Sequence, residues 1–96
     1  MSPINKKKLD LLRVKLDKLD YDLLKLIKKR SNLVNDVLKI KIYKNEIIDQ
    51  KRINFILIKI KKKSKQLNID PKITNRIWKN MIWSFIDYEK RNFKKK

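Results

Sequence analysis

Apolar residues recur along the first part of the chain at alternating intervals of three and four: Leu9, Leu12, Leu16, Leu19, Leu23, Leu26, Leu33, Val37 and Ile40. Such spacing holds one stripe on one side of an α-helix, as in a coiled-coil seam. One place breaks the series, because Arg30 stands where a further leucine is due. Glycine is absent from the chain and no proline falls inside this stretch, so the pattern predicts a single helix from about Lys7 to Ile42. At a rise of about 1.5 Å per residue that helix is roughly 50 Å long. A compact chain of this size has a radius of gyration of only about 13 Å. One copy cannot cover so long a seam, which predicts an obligate homodimer.

The segment "YKNE" (43–46) interrupts the pattern and reads as a connection. A second helix is expected from about Ile48 to Leu67, with Ile48, Phe55, Ile56 and Ile60 on one side. Within it "INFILIKI" is rich in β-branched residues, which favour strands. It lies between two helical segments with no hairpin partner, so helix is the expectation. "NIDPK" (68–72) then reads as a helix start, with Asp70 at the N-cap and Pro71 in the first helical position. The third helix carries Ile73, Ile77, Trp78, Met81, Ile82, Phe85 and Ile86. No internal repeat is visible. The expected architecture is all-α, one domain over residues 1–96 with its core at about 9–90 and solvated, frayed basic ends at 6–8 and 90–96.

Charge adds a second class of function to weigh. The chain has 28 Lys and Arg against 10 Asp and Glu, a formal net charge of +18, and such a balance favours phosphate-rich partners. Lysine is spread through the whole chain beside isoleucine and asparagine, however, so it singles out no nucleic-acid face and no such partner is expected. A nucleic-acid-binding helical dimer, using Lys15, Lys18, Lys25 and Lys29, remains the alternative from a different class. Cysteine and histidine are absent, which removes disulfides, thiol nucleophiles, imidazole bases and metal sites built from those ligands. No cofactor and no metal are expected. The start "MSPINKKK" carries no apolar leader and no apolar run reaches membrane length, so the expected location is the cytoplasm, away from any membrane.

Arginine is scarcer than lysine and more informative: Arg13, Arg30, Arg52, Arg76 and Arg91. Its planar donor fork matches carboxylates in a way lysine does not. Arg52 falls between Ile48 and Phe55/Ile56 on the expected apolar side of the second helix. Glu89 continues the stripe of Trp78, Ile82 and Phe85/Ile86. An unpaired buried charge is costly, and an internal Arg–Glu pair would satisfy only one of the two arginines. Lys41 follows Arg30 by about three helical turns, so both point to similar azimuths; a solvated lysine is the plain alternative. Arg13 lies roughly 25 Å before Arg30 along the same helix and can meet it only across an antiparallel dimer. Arg30, Lys41, Arg52, Glu89 and a visiting Arg13 together suit a compact dianion.

These residues resemble a known family, the all-helical chorismate mutases. "LDLLRVKLDKLDYDLLKLIKKRSNLVNDVLKIK" is similar to the family's first helix, "DQKR" (49–52) to the start of its second, and "LNIDPKITNRIWKNMI" to its third. The resemblance covers about residues 9–90. It implies an intertwined helical dimer that converts chorismate to prephenate, a step toward phenylalanine and tyrosine. It also implies that Arg30 and Arg13 of the partner subunit clamp the substrate carboxylates, and that Lys41 contacts the ether oxygen and a carboxylate. Asp49 and Arg52 match site positions of the second helix, and Glu89 matches a position facing the ether oxygen. A pericyclic rearrangement needs a folded conformer and donors at the breaking C–O bond, with no nucleophile or metal. Glu89 donates only when protonated, so activity is expected to fall as pH rises.

Two positions depart from the family pattern. Ile53 stands where the family often has a glutamate that meets the substrate hydroxyl, and Phe85 stands where some members have serine. Hydroxyl recognition then has to rest on Asp49, backbone or water. Isochorismate pyruvate lyase, on the same fold, also lacks that glutamate and is the nearest alternative activity.

Overall fold

The computed structural model of the chain describes residues 2–94. Its element order is α1 (Pro3–Ile40), a 3-10 turn at Lys44–Glu46, α2 (Gln50–Gln66) and α3 (Pro71–Asn92). The all-α, three-helix expectation holds, and no strand occurs among the described residues. No helix among them is long and apolar enough to cross a membrane. Residues 95–96 of the basic C-terminal run lie outside the described residues. The chain divides after Leu33 into two compact units.

The first unit is the helical stretch that carries the leucine seam. α1 starts at Pro3, ahead of the expected Lys7. Ser2 accepts a hydrogen bond from the Asn5 backbone N–H at 3.2 Å, and a proline in the first helical position needs no N–H partner. Helix-start chemistry therefore outweighs the repulsion among Lys6, Lys7 and Lys8, which are helical and exposed. Along this stretch Leu12, Leu16, Leu19, Leu23 and Leu26 are 55–59% exposed. That is a continuous apolar stripe facing water.

The second unit holds the last turns of α1, the 3-10 turn, α2 and α3. α1 stops at Ile40, two residues before the expected end. The cause is Glu46, whose Oε1 accepts from the backbone N–H groups of Ile42 at 3.3 Å and Tyr43 at 2.9 Å. Those bonds turn the chain out of the helix and drop Ile47 into the core, where it is 3% exposed. α2 begins at Gln50 because Asp49 caps it, its Oδ1 accepting from the Arg52 N–H at 3.0 Å.

α2 ends without a glycine. Asn68 takes the left-handed conformation at φ 57°, the role usually filled by glycine after a helix. The Ile69 N–H reaches the Ser64 carbonyl at 2.8 Å and the Asn68 N–H reaches that of Lys65 at 3.2 Å, so two terminal carbonyls are satisfied. Asp70 then caps α3, accepting from the Lys72 N–H at 2.9 Å, with Pro71 directly behind it. Asp70→Ala is expected to lower the free energy of unfolding by about 1 kcal/mol, measured by chemical denaturation. An unchanged midpoint would remove the cap from the account of this helix start.

The two helices pack as a hairpin on a core of Ile47, Ile53, Ile82 and Ile86, joined by Leu38, Ile56, Leu57 and Phe93. Near the turn, the hydroxyls of Ser64 and Thr74 meet at 2.7 Å in a buried pair, which satisfies both polar groups inside the packing. At the other end the Tyr88 hydroxyl donates to Asn35 Oδ1 at 2.8 Å, tying α3 to the last turns of α1. The apolar face of α2 differs from the expected one. Ile53 is buried, while Ile48 and Phe55 are 39% and 53% exposed.

Candidate active site

Lys41 is the first residue beyond α1, and its N–H still bonds the Leu38 carbonyl at 3.3 Å. Its side chain runs to α3, where Nζ meets Glu89 Oε1 at 2.9 Å. Both side chains are largely withdrawn from water, 16% and 8% exposed. Glu89 thus continues the buried stripe of Thr74, Ile82 and Ile86, as the spacing in α3 predicts. A charge in that stripe is tolerated because it is paired. The partner that Glu89 finds is thus a lysine, Lys41.

A cleft of about 420 Å³ opens beside this pair, lined by Val37, Ile40, Lys41, Glu46, Ile48 and Asp49. Its floor is apolar and its charged groups are one ammonium and two carboxylates. Two of the sequence-predicted residues, Lys41 and Asp49, line it together, and Glu89 is paired with the first of them. Asp49 serves at the same time as the N-cap of α2.

Arg52 does not occupy the apolar side of α2 assigned to it by spacing. It is exposed, and its guanidinium lies 5.3 Å from the centre of the exposed Phe55 ring, a cation–π contact. The reason is helical phase: Ile53, the next residue and about 100° around the helix, takes the core position. Arg13 and Arg30 both lie on α1 in the first unit, Arg13 exposed and Arg30 half-buried. Lys15, Lys18, Lys25 and Lys29 are exposed along the same helix. Phe85 is half-buried on α3.

Glu46 is the cleft residue that spacing did not single out. The available signal was local: an acidic residue three positions after Tyr43, the interval at which a carboxylate reaches back to a free backbone N–H. Among the described residues no group of three or more His, Cys, Asp or Glu could hold a metal ion. The cleft offers one ammonium as donor and two carboxylates as acceptors, set among the apolar side chains of Val37, Ile40 and Ile48.

The chain's sequence matches the family described as chorismate mutase type II over residues 12–90. No curated protein and no solved structure matches it. The matched span takes in Arg13, Arg30, Lys41, Asp49, Arg52 and Glu89, together with most of α1 and α3, all of α2 and every residue that lines the cleft. The chain therefore belongs to the chorismate mutase type II family, a family of isomerases.

Proposed function

We propose that this chain is a cytoplasmic, homodimeric single-domain enzyme that rearranges chorismate to prephenate in the route to phenylalanine and tyrosine. The observation that carries the reading is the Lys41–Glu89 pair at 2.9 Å beside the cleft, at two positions where the family resemblance puts donors to the ether oxygen. In the reaction the ether C–O bond breaks as a C–C bond forms between the enolpyruvyl group and the ring. Electrons move in a closed cycle, so no proton or external nucleophile is consumed. What the protein supplies is a compact substrate conformer and stabilisation of negative charge gathering on the ether oxygen.

The residues divide this work by chemistry. Arg30 and Arg13 of the partner subunit hold the two carboxylates with bidentate forks. Lys41 donates to the ether oxygen and to one carboxylate. Glu89 holds the Lys41 ammonium toward that oxygen. Asp49 and Arg52 complete the binding set from the start of α2. No cofactor takes part, and nucleic acid is no partner.

Chorismate consumption by the purified protein, followed by ultraviolet absorbance with products identified, tests the activity. Prephenate formation is the expected result. Failure on chorismate, with isochorismate yielding salicylate and pyruvate, would transfer the assignment to the lyase, a reading that the burial of Ile53 in place of a substrate-facing glutamate keeps in view. Inertness toward both would reject this function.

The dimer has its own test. Leu19→Lys with Leu23→Lys puts two charges into the exposed stripe and is expected to yield a monomer without turnover. Sedimentation of the unaltered protein as a monomer would dismiss the dimer outright.

A further inference from the structure

We propose that Glu46 fixes the ring hydroxyl of the substrate, and so determines which dicarboxylate the site accepts. The inference rests on the mutase reading and deepens it. A carboxylate is an acceptor only, so beside a bound substrate it selects a hydrogen-bond donor. The hydroxyl is the one strong hydrogen-bond donor that chorismate carries in its dianionic form.

Three observations single out Glu46. Ile53, at the position of the family's hydroxyl-binding glutamate, is 6% exposed and packed among Ile47, Ile82 and Ile86, so no group at that position faces a ligand. Glu46 lines the cleft beside Lys41, the residue placed at the ether oxygen. Its Oε1 is anchored by two backbone N–H groups, those of Ile42 and Tyr43, the two residues that follow Lys41. The backbone thereby sets the distance between the Glu46 carboxylate and the lysine. Oε2 is left to accept from a ligand at no further cost in side-chain ordering.

Asp49 is the competing acceptor in the cleft. Its carboxylate is held by one N–H, that of Arg52, and caps α2. A single anchor leaves the group freer to turn, which makes it the poorer gauge of hydroxyl position.

Glu46→Gln isolates the point. The amide oxygen can keep both backbone bonds, while the other oxygen is replaced by an NH2 donor. The measurements are KM and kcat for chorismate, and the inhibition constant of a ring dicarboxylate analogue that lacks the hydroxyl. Glu46→Gln is expected to raise KM for chorismate about tenfold, the order expected for a hydrogen bond to a charged acceptor, and to leave inhibition by the deoxy analogue unchanged. Asp49→Asn serves as the matched control, with thermal unfolding of both variants measured alongside.

Equal losses for chorismate and analogue would mean that Glu46 only shapes the turn, and would overturn the proposal. So would loss of the hydroxyl preference in Asp49→Asn alone, or an unaltered preference in Glu46→Gln. Each of those results leaves wild-type mutase activity standing. Absence of wild-type turnover, by contrast, sinks the mutase reading and this inference together.

Discussion

Arg30→Ala is expected to lower kcat/KM for chorismate by roughly a hundredfold to a thousandfold, the scale seen when one preorganised charge-stabilising donor is removed. Arg30 sits in a series of leucines on α1 and is half-buried where Leu19, Leu23 and Leu26 are exposed. Alanine is the best helix former, and the leucines on either side are untouched. The variant should keep its helix and its association state while losing turnover. Arg30→Lys should recover little, because an ammonium cannot reproduce a two-point grip on a carboxylate. A variant that is dimeric and as active as the wild type would strip Arg30 of its place in the mechanism. A variant that is active but no longer associates would make Arg30 a structural residue.

The second large effect is expected at Lys41. Lys41→Met removes the ammonium paired with Glu89 and leaves a carboxylate 8% exposed among apolar neighbours. Breaking a buried pair from one side typically costs about 3 kcal/mol or more, so unfolding should shift strongly and turnover should vanish. Adding Glu89→Gln to Lys41→Met should restore much of the lost stability, because the uncompensated charge is gone, yet restore no activity. That contrast separates the pair's structural part from its chemical part in one double-mutant cycle. Glu89→Gln alone should remain active, since an amide can still accept from Lys41 through its oxygen and donate through its NH2. Loss of turnover in Glu89→Gln would show that the charge of Glu89, and not only its shape and hydrogen bonding, is needed beside Lys41.

The three helices were legible because their signals are strong and local. Asp70 followed by Pro71 marks α3 without reference to anything distant, and the leucine spacing marks α1. Ser2 followed by Pro3 carries the same start signal, and the run of lysines behind it obscured its weight. The apolar face of α2 was harder for a physical reason. Ile53, Phe55, Ile56, Leu57, Ile58 and Ile60 surround the helix almost completely, so periodicity has no phase to lock onto. Contact with Ile47 and α3 chooses Ile53 and turns Arg52 outward.

Site residues followed the same division. Glu89 stood out as an acid in an apolar stripe. Lys41 stood out by its spacing after Arg30, but its pairing with Glu89 did not, because the pair joins positions far apart in the sequence. Glu46 was hidden because its effect is on backbone N–H groups rather than on a pattern of side chains.

The bond from Lys41 to Glu89 spans 48 positions and that from Tyr88 to Asn35 spans 53. Each joins an early stretch of the chain to the last turns of α3. During synthesis, Lys41 emerges from the ribosome long before the carboxylate that orients it. The lysine of the nascent chain therefore stays unpositioned until α3 has left the exit tunnel and the pair can close. A message cut short before the codon for Glu89 would yield helices without an oriented Lys41, so the chain acquires function in one late step and not by degrees.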